Sequence, residues 1–457
     1  MMSRFVTASR ARGFLALAGA LAFPAGCAED NLPSAPSASP VMSATIQPSS
    51  AGELRAYVTN SFSSDVSVIR VADNSVIATI PVDERPQHVA ITPDGRFAYV
   101  THFVPLAAFR GIITVIRTVD NSIVATLPKL AGQFFNTMTI TPDGVFAYVM
   151  NGVYAQDNPA THVQVLRTAD NAVIATLDAG PHVMGAVTSD GRFIYMTGDC
   201  GLPEEGCVRV VRTSDNIIVA TIPVGDLPNR IVLTPDDSRA YVSHTSSDVI
   251  TVIRTSDNMV ETTFEIPAAL GLGMGVDGRY LYVASRFLVG SGTVTVVRTS
   301  DHGVETVFSV GHRPAHVELT PDGSLAYVPN DGSGTVSVVR TTDHATIATI
   351  PVGDHPAFVA FALVRSVEEE AARLQDAIDE LEAAARLSSG RANALRNHIE
   401  NALRALGRGQ TAPAIAQLEA FIAQVQQLVA DGVLTGTEAA PIIAAAENAI
   451  AAAQAGG

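Results

Sequence analysis

The stretch TPDGRFAYVTH, Thr92 to His102, decides the fold because close copies of it recur along the chain. Each copy joins a Thr-x-Asp turn to a short run of aromatic and β-branched residues, a composition that favours a β-strand. Recurrence at a near-constant spacing predicts a repeat architecture. The other copies are TPDGVFAYVMN (Thr141 to Asn151), TSDGRFIYMTG (Thr188 to Gly198), TPDDSRAYVSH (Thr234 to His244) and TPDGSLAYVPN (Thr320 to Asn330).

Two signals run in step through these copies, and both count seven. A tyrosine near the end of one strand recurs every 41 to 49 residues, and an Arg-Thr-x-Asp-Asn-like turn follows each tyrosine. Seven units of about 45 residues are therefore expected. The tyrosines are Tyr57, Tyr99, Tyr148, Tyr195, Tyr241, Tyr282 and Tyr327, and the turn aspartates are Asp73, Asp120, Asp170, Asp215, Asp257, Asp301 and Asp343.

Each unit contains four short β-type runs, such as VSVIR (Val66 to Arg70) and VIATIPV (Val76 to Val82), separated by turn residues. Four strands per unit of this length is the pattern of a β-propeller blade. A helical solenoid would need 3.6-residue periodicity, so this class is excluded for the repeats. We predict an all-β seven-bladed propeller over residues 51–364, followed by a small α-helical bundle over residues 366–457.

The motif AYVTN at Ala56 to Asn60, with VSVIR, VIATIPV and the TPDG turn, resembles the YVTN-repeat family of seven-bladed propellers. The resemblance covers about residues 53 to 364. The fifth repeat departs from it, because GVDG at Gly275 to Gly278 replaces TPDG, although the Asp-Gly turn is kept. The resemblance implies surface-layer-type, extracytoplasmic association and names no partner.

Ring closure follows from counting strands. The last copy of the inner strand, FVAFALV at Phe358 to Val364, has no further strands after it. It is expected to pair with the blade that begins at Tyr57, which removes the open sheet edge. The segment Ser43 to Ile46 is the alternative candidate for that place.

The N-terminus has the pattern of an export signal. Residues 1–26 carry three arginines and then the apolar run GFLALAGALAFPAG, which has the length of a signal-peptide core. Cys27 follows Pro24-Ala25-Gly26, which resembles a lipobox, and cleavage after Ala20-Leu21-Ala22 is the alternative. Residues 27–50 are rich in Pro, Ser and Ala and are expected to form a tether. The protein is thus predicted to be periplasmic or at the cell surface, anchored by lipid on Cys27.

The charge balance argues against nucleic acid as a partner. The formal net charge is −16, and it moves to −19 without the three arginines of residues 1–26. An acidic protein lacks the basic surface that neutralises phosphates. Membrane contact is expected through the lipid anchor only.

Two cysteines fit an oxidising compartment. Cys200 and Cys207 bracket a short Gly- and Pro-containing loop, and we predict a disulfide between them. A zinc site is the alternative, but the neighbourhood offers too few further ligands at metal spacing.

The loops on one face of the ring are the predicted binding surface. If the inner strand of each blade runs downward, the TPDG turns lie on a lower face, and the second-to-third-strand loops and blade-to-blade loops lie on an upper face. The upper loops differ widely in length and composition, which is how a rigid scaffold usually presents a binding site. The candidate ligand-binding residues on this face are His88, His102, Arg110, Arg230, His244, Arg286, Arg313 and His316.

The histidines and arginines leave two interpretations open. A cluster of histidines suits a metal or titration near neutrality, and arginines suit carboxylate, phosphate or acidic-sugar groups. The repeat itself accounts for several histidines, since Pro86-Gln87-His88 and Pro314-Ala315-His316 occupy equivalent places. The starts of the inner strands read His, Thr, Met, Arg, Gly, His and Phe, and Phe358 separates the two histidines. No preformed metal ring and no cofactor are predicted, and metal binding is left undecided.

No catalytic motif was found, and no catalytic residue is predicted. The sequence lacks GxSxG, HExxH and a phosphate-cradling glycine loop. The repeated aspartates are interpreted as turn residues of the lower face, not as acids or bases: Asp94, Asp143, Asp190, Asp236 and Asp322.

The composition changes after Arg365 to Ala, Glu, Leu and Gln, with apolar residues at helical spacing. Ser366 and Glu369 have the spacing of a capping box, and four helices are expected. The segment resembles a helical module that is often appended to exported bacterial proteins. Docking, oligomerisation and a stabilising cap are the roles considered.

The leading hypothesis is a non-enzymatic cell-envelope scaffold that presents its upper loops to a protein or glycan. One alternative is a lactonase-like or other metal- or histidine-dependent propeller enzyme. Another is a metal-handling or electron-transfer accessory protein.

Overall fold

A computed structural model describes residues 52–103, 110–131, 135–151, 163–177, 179, 182–202, 205–287 and 290–456. These residues form seven four-stranded antiparallel sheets followed by four helices, which confirms the predicted seven-bladed propeller and helical bundle. The predicted signal peptide, Cys27 and the tether lie outside the described residues. Within those residues, no helix combines the length and the apolar character needed to cross a membrane.

Each blade is a four-stranded meander whose strands match the β-type runs of the repeat. Blade 1 is built from both ends of the propeller, and blades 2 to 4 follow in chain order. The strands of blade 1 are β28 (Pro356–Val364), β1 (Glu53–Asn60), β2 (Asp65–Arg70) and β3 (Ser75–Pro81); of blade 2, β4 (Pro86–Ile91), β5 (Phe97–His102), β6 (Arg110–Arg117) and β7 (Ser122–Ala131); of blade 3, β8 (Phe135–Ile140), β9 (Phe146–Asn151), β10 (Val163–Arg167) and β11 (Ala172–Leu177); of blade 4, β12 (His182–Val187), β13 (Phe193–Leu202), β14 (Glu205–Arg212) and β15 (Ile217–Pro223).

Blades 5 to 7 repeat the same order, with the inner strand first and the outer strand last. The middle two strands of a blade are the most buried, since both of their faces pack against neighbouring blades. The strands of blade 5 are β16 (Pro228–Leu233), β17 (Arg239–His244), β18 (Val249–Arg254) and β19 (Met259–Glu265); of blade 6, β20 (Ala269–Met274), β21 (Tyr280–Ser285), β22 (Thr293–Arg298) and β23 (Val304–Ser309); of blade 7, β24 (Glu318–Leu319), β25 (Leu325–Asn330), β26 (Thr335–Arg340) and β27 (Thr346–Pro351).

The ring closes as the strand count predicts. Strand β28 pairs antiparallel with β1, in a register that runs from Glu53 opposite Val364 to Thr59 opposite Phe358. One C-terminal strand and three N-terminal strands therefore complete blade 1, and its inner edge is paired rather than open. The alternative segment, Ser43 to Ile46, lies outside the described residues.

The repeated tyrosine and the repeated Asp-Asn turn are partners across the blade interface. Five of the seven buried tyrosines donate their hydroxyl to the amide oxygen of an asparagine in the next blade, and each of these asparagines has a left-handed backbone. Asn tolerates this conformation better than most residues, so one turn residue serves both geometry and bonding. The bonds are Tyr57 to Asn121 (2.8 Å), Tyr99 to Asn171 (2.7 Å), Tyr148 to Asn216 (2.7 Å), Tyr195 to Asn258 (2.8 Å) and Tyr327 to Asn74 (2.8 Å). Tyr241 and Tyr282 face His302 and His344 at the same place.

The lower turns are held by their aspartates, as the sequence predicts. In the first turn, the Thr92 hydroxyl lies 2.6 Å from Oδ1 of Asp94, which also accepts from the backbone N–H of Arg96 at 3.0 Å. Gly95 has φ of +79°, and a Cβ there would lie 2.7 Å from the carbonyl oxygen of Leu363. These aspartates are structural turn residues, and their place on the lower face follows from tight-turn geometry.

Four helices follow the propeller: α1 (Val367–Ala383), α2 (Ser389–Leu406), α3 (Thr411–Ala430) and α4 (Gly436–Gly456). Ser366 and Glu369 form the expected capping box at the start of α1. The helices share one apolar core, in which Leu374, Leu395 and Phe421 are fully buried. The segment is thus a small bundle with its own core.

The helical bundle packs on the lower face beside blade 2. Arg96 of the first lower turn pairs with Glu447 on α4, and Nδ2 of Asn448 on α4 lies 3.5 Å from the carbonyl oxygen of Asp94 in the same turn. Within the bundle, the same Nδ2 donates to Oε1 of Glu370 on α1 at 3.2 Å. Glu370 is itself buried and accepts from Arg373 at 2.8 Å. Burial raises the pKa of the Glu370 carboxyl, although Arg373 and Arg365 oppose that shift. The contacts of α4 with Arg96 and Asp94 hold the bundle against one side of the ring.

Candidate functional site

The blade junctions place one residue at the upper rim and another in the central channel. In four junctions a residue with positive φ comes directly before a proline that leads into the inner strand. The second residue after that proline lies near the start of the inner strand, at the channel. A left-handed backbone costs about 1 kcal/mol or more for a residue other than glycine. Arg85 (φ 52°), Leu227 (φ 45°), Arg313 (φ 55°) and His355 (φ 55°) occupy this rim position, followed by His88, Arg230, His316 and Phe358.

In the channel, aromatic rings from the inner-strand segments of three adjacent blades stack on one another. The Phe358 ring lies between the rings of His88 and His316, with centroid distances of 3.9 Å on both sides. Both histidines are buried, and the sequence order His, Phe, His is reproduced in space as predicted. Because an aromatic ring separates them, the two imidazoles do not share a metal position.

Arg230 extends across the channel from blade 5 towards this stack. Its guanidinium carbon lies 5.3 Å from the centroid of Phe358, within cation–π range. One terminal nitrogen, Nη1, lies 3.5 Å from the sulfur of Met184, and Nε has no hydrogen-bond partner. We call His88, Arg230, His316, Glu318 and Phe358 the channel cluster.

Burial sets the protonation of the channel cluster. Desolvation lowers the pKa of both His88 and His316 well below the usual range, and the charge of Arg230 lowers them further. Burial lowers the pKa of Arg230 to about 10, so this side chain is still a cation at neutral pH. The cluster therefore holds one fixed positive charge beside two neutral imidazoles.

Glu318 is the channel residue that the sequence reading missed. Its Oε2 lies 3.1 Å from Nε2 of His316. The side chain is 41% accessible, but it faces the cavity inside the channel and not the outer surface. Desolvation inside the channel raises the pKa of its carboxyl to about 8. The sequence did contain a signal for it, because Glu318 is the one charged residue at this position of the repeat. The equivalent positions of the other inner strands carry Ala90, Thr139, Ala186, Val232, Gly273 and Ala360.

Two predicted ligand residues, His102 and His244, are engaged by the protein itself. The Nδ1 of His244 lies 2.9 Å from the carbonyl oxygen of Asp226, and its Nε2 lies 2.9 Å from the Thr251 hydroxyl. His102 repeats the pattern with the carbonyl of Glu84 at 3.2 Å and the Thr114 hydroxyl at 3.0 Å. Both imidazoles are buried at the end of the second strand of their blade, where these contacts hold them in place.

The predicted Arg286 and Arg313 converge on one carboxylate at the upper face. Nη2 of Arg286 lies 2.6 Å and Nη2 of Arg313 lies 3.3 Å from Oδ2 of Asp331. The other oxygen, Oδ1, lies 2.9 Å from Nδ1 of His355. Asp331 is 13% exposed, while the three basic side chains remain about one-third exposed.

An exposed aromatic residue extends this network. Phe62 is 61% exposed, and its ring lies 4.1 Å from that of His355 between centroids. Arg85 also approaches this ring, with its guanidinium carbon 5.4 Å from the Phe62 centroid. We call Phe62, Arg85, Arg286, Arg313, Asp331 and His355 the upper cluster, and it spans the loops of blades 6, 7, 1 and 2.

The remaining predicted site residues are less informative. Arg110 begins strand β6, but its side chain lies outside the described part of the chain. Cys207 is buried on β14, which pairs with the strand that carries Cys200, and the Cys200 side chain is outside the described part. The disulfide thus stays a prediction. Among the described residues, no three His, Cys, Asp or Glu side chains converge as a metal site would require.

Comparisons with known proteins agree with this architecture. Residues 371–451, within the helical bundle, match the FIMAH domain. No curated protein matches the sequence. A periplasmic gluconolactonase of Pseudomonas aeruginosa is 18% identical, with a TM-score of 0.55 over 68% of this chain and 99% of that chain.

Two further solved structures have the same propeller. Hydrazine synthase of Kuenenia stuttgartiensis is 19% identical, with a TM-score of 0.54 over 62% of this chain and 92% of that chain. A putative 6-phosphogluconolactonase of Bacteroides uniformis is 13% identical, with a TM-score of 0.54 over 68% of this chain and 100% of that chain. At these identities the likeness establishes the fold and leaves the activity open.

Proposed function

We propose that this protein is an exported, non-enzymatic binding protein of the cell envelope, of YVTN-repeat type, whose upper cluster receives a protein or glycan partner. The observation that carries the proposal is the arrangement around Phe62. An aromatic side chain that is 61% exposed is in contact with both Arg85 and His355 on the propeller ring. Aromatic and arginine side chains dominate the energetic centres of binding interfaces.

The network beneath Phe62 supports the same conclusion. Asp331 ties Arg286, Arg313 and His355 together, so the basic side chains are held before a partner arrives. Preorganisation of this kind reduces the entropy lost on binding. The arginine forks also suit a carboxylate or sulfate group on the partner.

The proposal is tested by cosedimentation with envelope fragments of a bacterium that expresses the protein. A Cys27→Ser background removes any lipid anchor, so that only the folded domains hold the protein. Phe62→Ala and Arg313→Ala are expected to weaken retention about tenfold each, the effect of losing a contact near 1.4 kcal/mol. Protease or glycan-degrading treatment of the fragments identifies the partner as protein or glycan.

Matched controls separate the upper cluster from the rest of the surface. Met259→Ala removes another exposed apolar side chain on an outer strand, and Arg254→Ala removes an exposed arginine paired with Asp257. Both controls should retain wild-type cosedimentation. Equal losses in controls and upper-cluster variants would refute the proposed surface.

The channel carries the alternative, a lactonase-like enzyme. The specific observation is the Glu318–His316 pair, an acid and a base 3.1 Å apart beside a cavity. Such a pair is suited to proton transfer in hydrolysis. Glucono-δ-lactone hydrolysis above the buffer rate that disappears in Glu318→Gln would favour the enzyme, and hydrolysis at the buffer rate would remove this candidate.

A further inference from the structure

The central channel contains a cavity that the upper-cluster function does not use. The cavity has a volume of about 630 Å³ and extends along the inner strands from Glu318 to the lower turns at Pro235, Val276 and Pro321. Its volume is in the range of small-molecule sites. The stacked rings of the channel cluster and Arg230 lie at the upper end of the same inner strands.

The wall of this cavity is largely apolar. Inner strands from six blades line it, and the positions equivalent to Glu318 carry the small apolar residues Ala186, Val232, Gly273 and Ala360. A wall of this kind favours a ligand with a hydrophobic body, since every contact removes apolar surface from water.

Both ionisable side chains that line the cavity are acidic. Glu318 lies at the inner end, and Asp237 lies at the lower end. The protein as a whole is acidic as well, with a formal net charge of −16. The fixed positive charge of Arg230 lies above the cavity, at the upper end of the channel, and is not part of the cavity wall. Carboxylates in the wall itself favour a ligand of the opposite sign over an anion.

We propose that the channel binds a small hydrophobic organic cation, an amine whose ammonium group pairs with the carboxylate of Glu318. The apolar wall holds the hydrophobic body, and Glu318 accepts the ammonium hydrogen bonds at the inner end. The neighbouring His316 is a neutral partner of the same carboxyl, so it does not compete as a cation. This site is independent of the upper cluster, which lies on the outer surface.

The protonation of Glu318 gives the site a distinctive pH response. Desolvation in the channel raises the pKa of the Glu318 carboxyl to about 8. Below that pH the carboxyl is protonated, so it must lose its proton before it can pair with an ammonium group. The groups that face it are His316 on its own strand, Arg230 and His88 at the upper end of the channel, and Asp237 at the lower end. Binding of an amine should therefore weaken about tenfold per pH unit below pH 8 and level off above it.

The test is isothermal titration of the purified protein with 2-phenylethylamine and with 2-phenylethanol, a neutral molecule of the same shape. At pH 8.5 the amine is expected to bind at least tenfold more tightly than the alcohol. Glu318→Gln should abolish this preference, and Ala186→Leu should weaken both ligands by filling the cavity from the wall of another blade. Thermal unfolding of each variant verifies that the propeller is intact.

The wild-type pH series keeps the test decisive even if Glu318→Gln fails to fold. A preference for the amine that falls about tenfold per unit below pH 8 supports the proposal. Equal affinity for amine and alcohol would overturn it in favour of a neutral ligand. A preference that survives in a folded Glu318→Gln protein, or no binding of the amine at millimolar concentration, would overturn it as well.

Discussion

At the scale of single residues, the repeat is held together by pairs that the sequence shows separately. The tyrosine and the turn asparagine each recur seven times at matching intervals, with histidine in place of asparagine in the last two turns. This matching spacing does not show that the two side chains are in contact. The structure joins them across the blade interface, where the Tyr148 hydroxyl lies 2.7 Å from Oδ1 of Asn216. Where histidine replaces asparagine, His302 and His344 stack on Phe264 and Phe308 at 5.2 Å and 5.7 Å.

We predict that Tyr148→Phe lowers the free energy of unfolding by about 1–2 kcal/mol, because it removes this bond and leaves the Asn216 oxygen without its donor. Urea unfolding followed by far-UV circular dichroism measures the loss. Tyr280→Phe is the matched control, because Tyr280 begins β21 and does not belong to the cross-blade series. A similar loss in both variants would show that the interblade bond is not the cause.

The channel histidines predict an acid-dependent loss of stability. His88 is neutral in the folded protein because burial and Arg230 depress its pKa, whereas an unfolded histidine titrates near 6.5. Below that pH the unfolded chain binds more protons, so this contribution is present above pH 6.5 and is lost as pH falls. Glu318 has the opposite sign: its raised pKa gives stability that is present at low pH and is lost as pH rises towards about 8.

Comparison of His88→Gln with the wild type isolates the histidine contribution. Between pH 6.5 and 5, the wild-type free energy of unfolding should fall more steeply than that of the variant, by about 1.4 kcal/mol per pH unit. Met184→Leu, another substitution at an inner-strand start, changes no titrating group and should keep the wild-type slope. If the free energy of unfolding fell with the same slope in the wild type and in His88→Gln, His88 would take up its proton as readily in the folded protein as in the unfolded chain.

At the scale of elements, strand number and order were predictable, but channel contacts were not. Periodicity and turn residues are local signals, so β28 was paired correctly with β1 from the sequence alone. The proximity of Glu318 to His316 arises from their spacing of two residues on one inner strand, whereas the cavity beside Glu318 is lined by residues of six blades. Likewise, the role of Asp331 depends on loops of blades 6, 7 and 1, which no local pattern relates.

The hairpin of β13 and β14 allows a test of the predicted disulfide. Asp199 lies opposite Gly206 in this pair, and Gly198 lies opposite Cys207. Cys207→Ser should lower the free energy of unfolding by about 2–3 kcal/mol more under oxidising than under reducing conditions, through loss of the closed loop. Thermal unfolding with and without reductant measures the difference. The same loss in both conditions would indicate that only the packing of the buried thiol matters.

At the scale of the whole molecule, the two faces of the ring differ in what covers them. The helical bundle packs against the lower turn at Arg96, through Glu447 and its neighbours, while the upper cluster remains open to a partner. The predicted upper residues divide accordingly: Arg286 and Arg313 reach the surface, whereas His88 and His316 lie in the channel. The sequence predicted one upper face for these residues and did not predict this division, because repeat position alone does not distinguish rim from channel.

The most direct test of the binding surface is hydrogen–deuterium exchange of the Cys27→Ser protein, free and bound to envelope fragments. The account predicts added protection in peptides that cover residues 60–65, 83–88, 311–316, 329–335 and 352–357, which carry most of the upper cluster. Exchange in the helical bundle, residues 367–456, should stay unchanged. Protection confined to the bundle or to the outer strands, with the upper loops unaffected, would contradict the central claim.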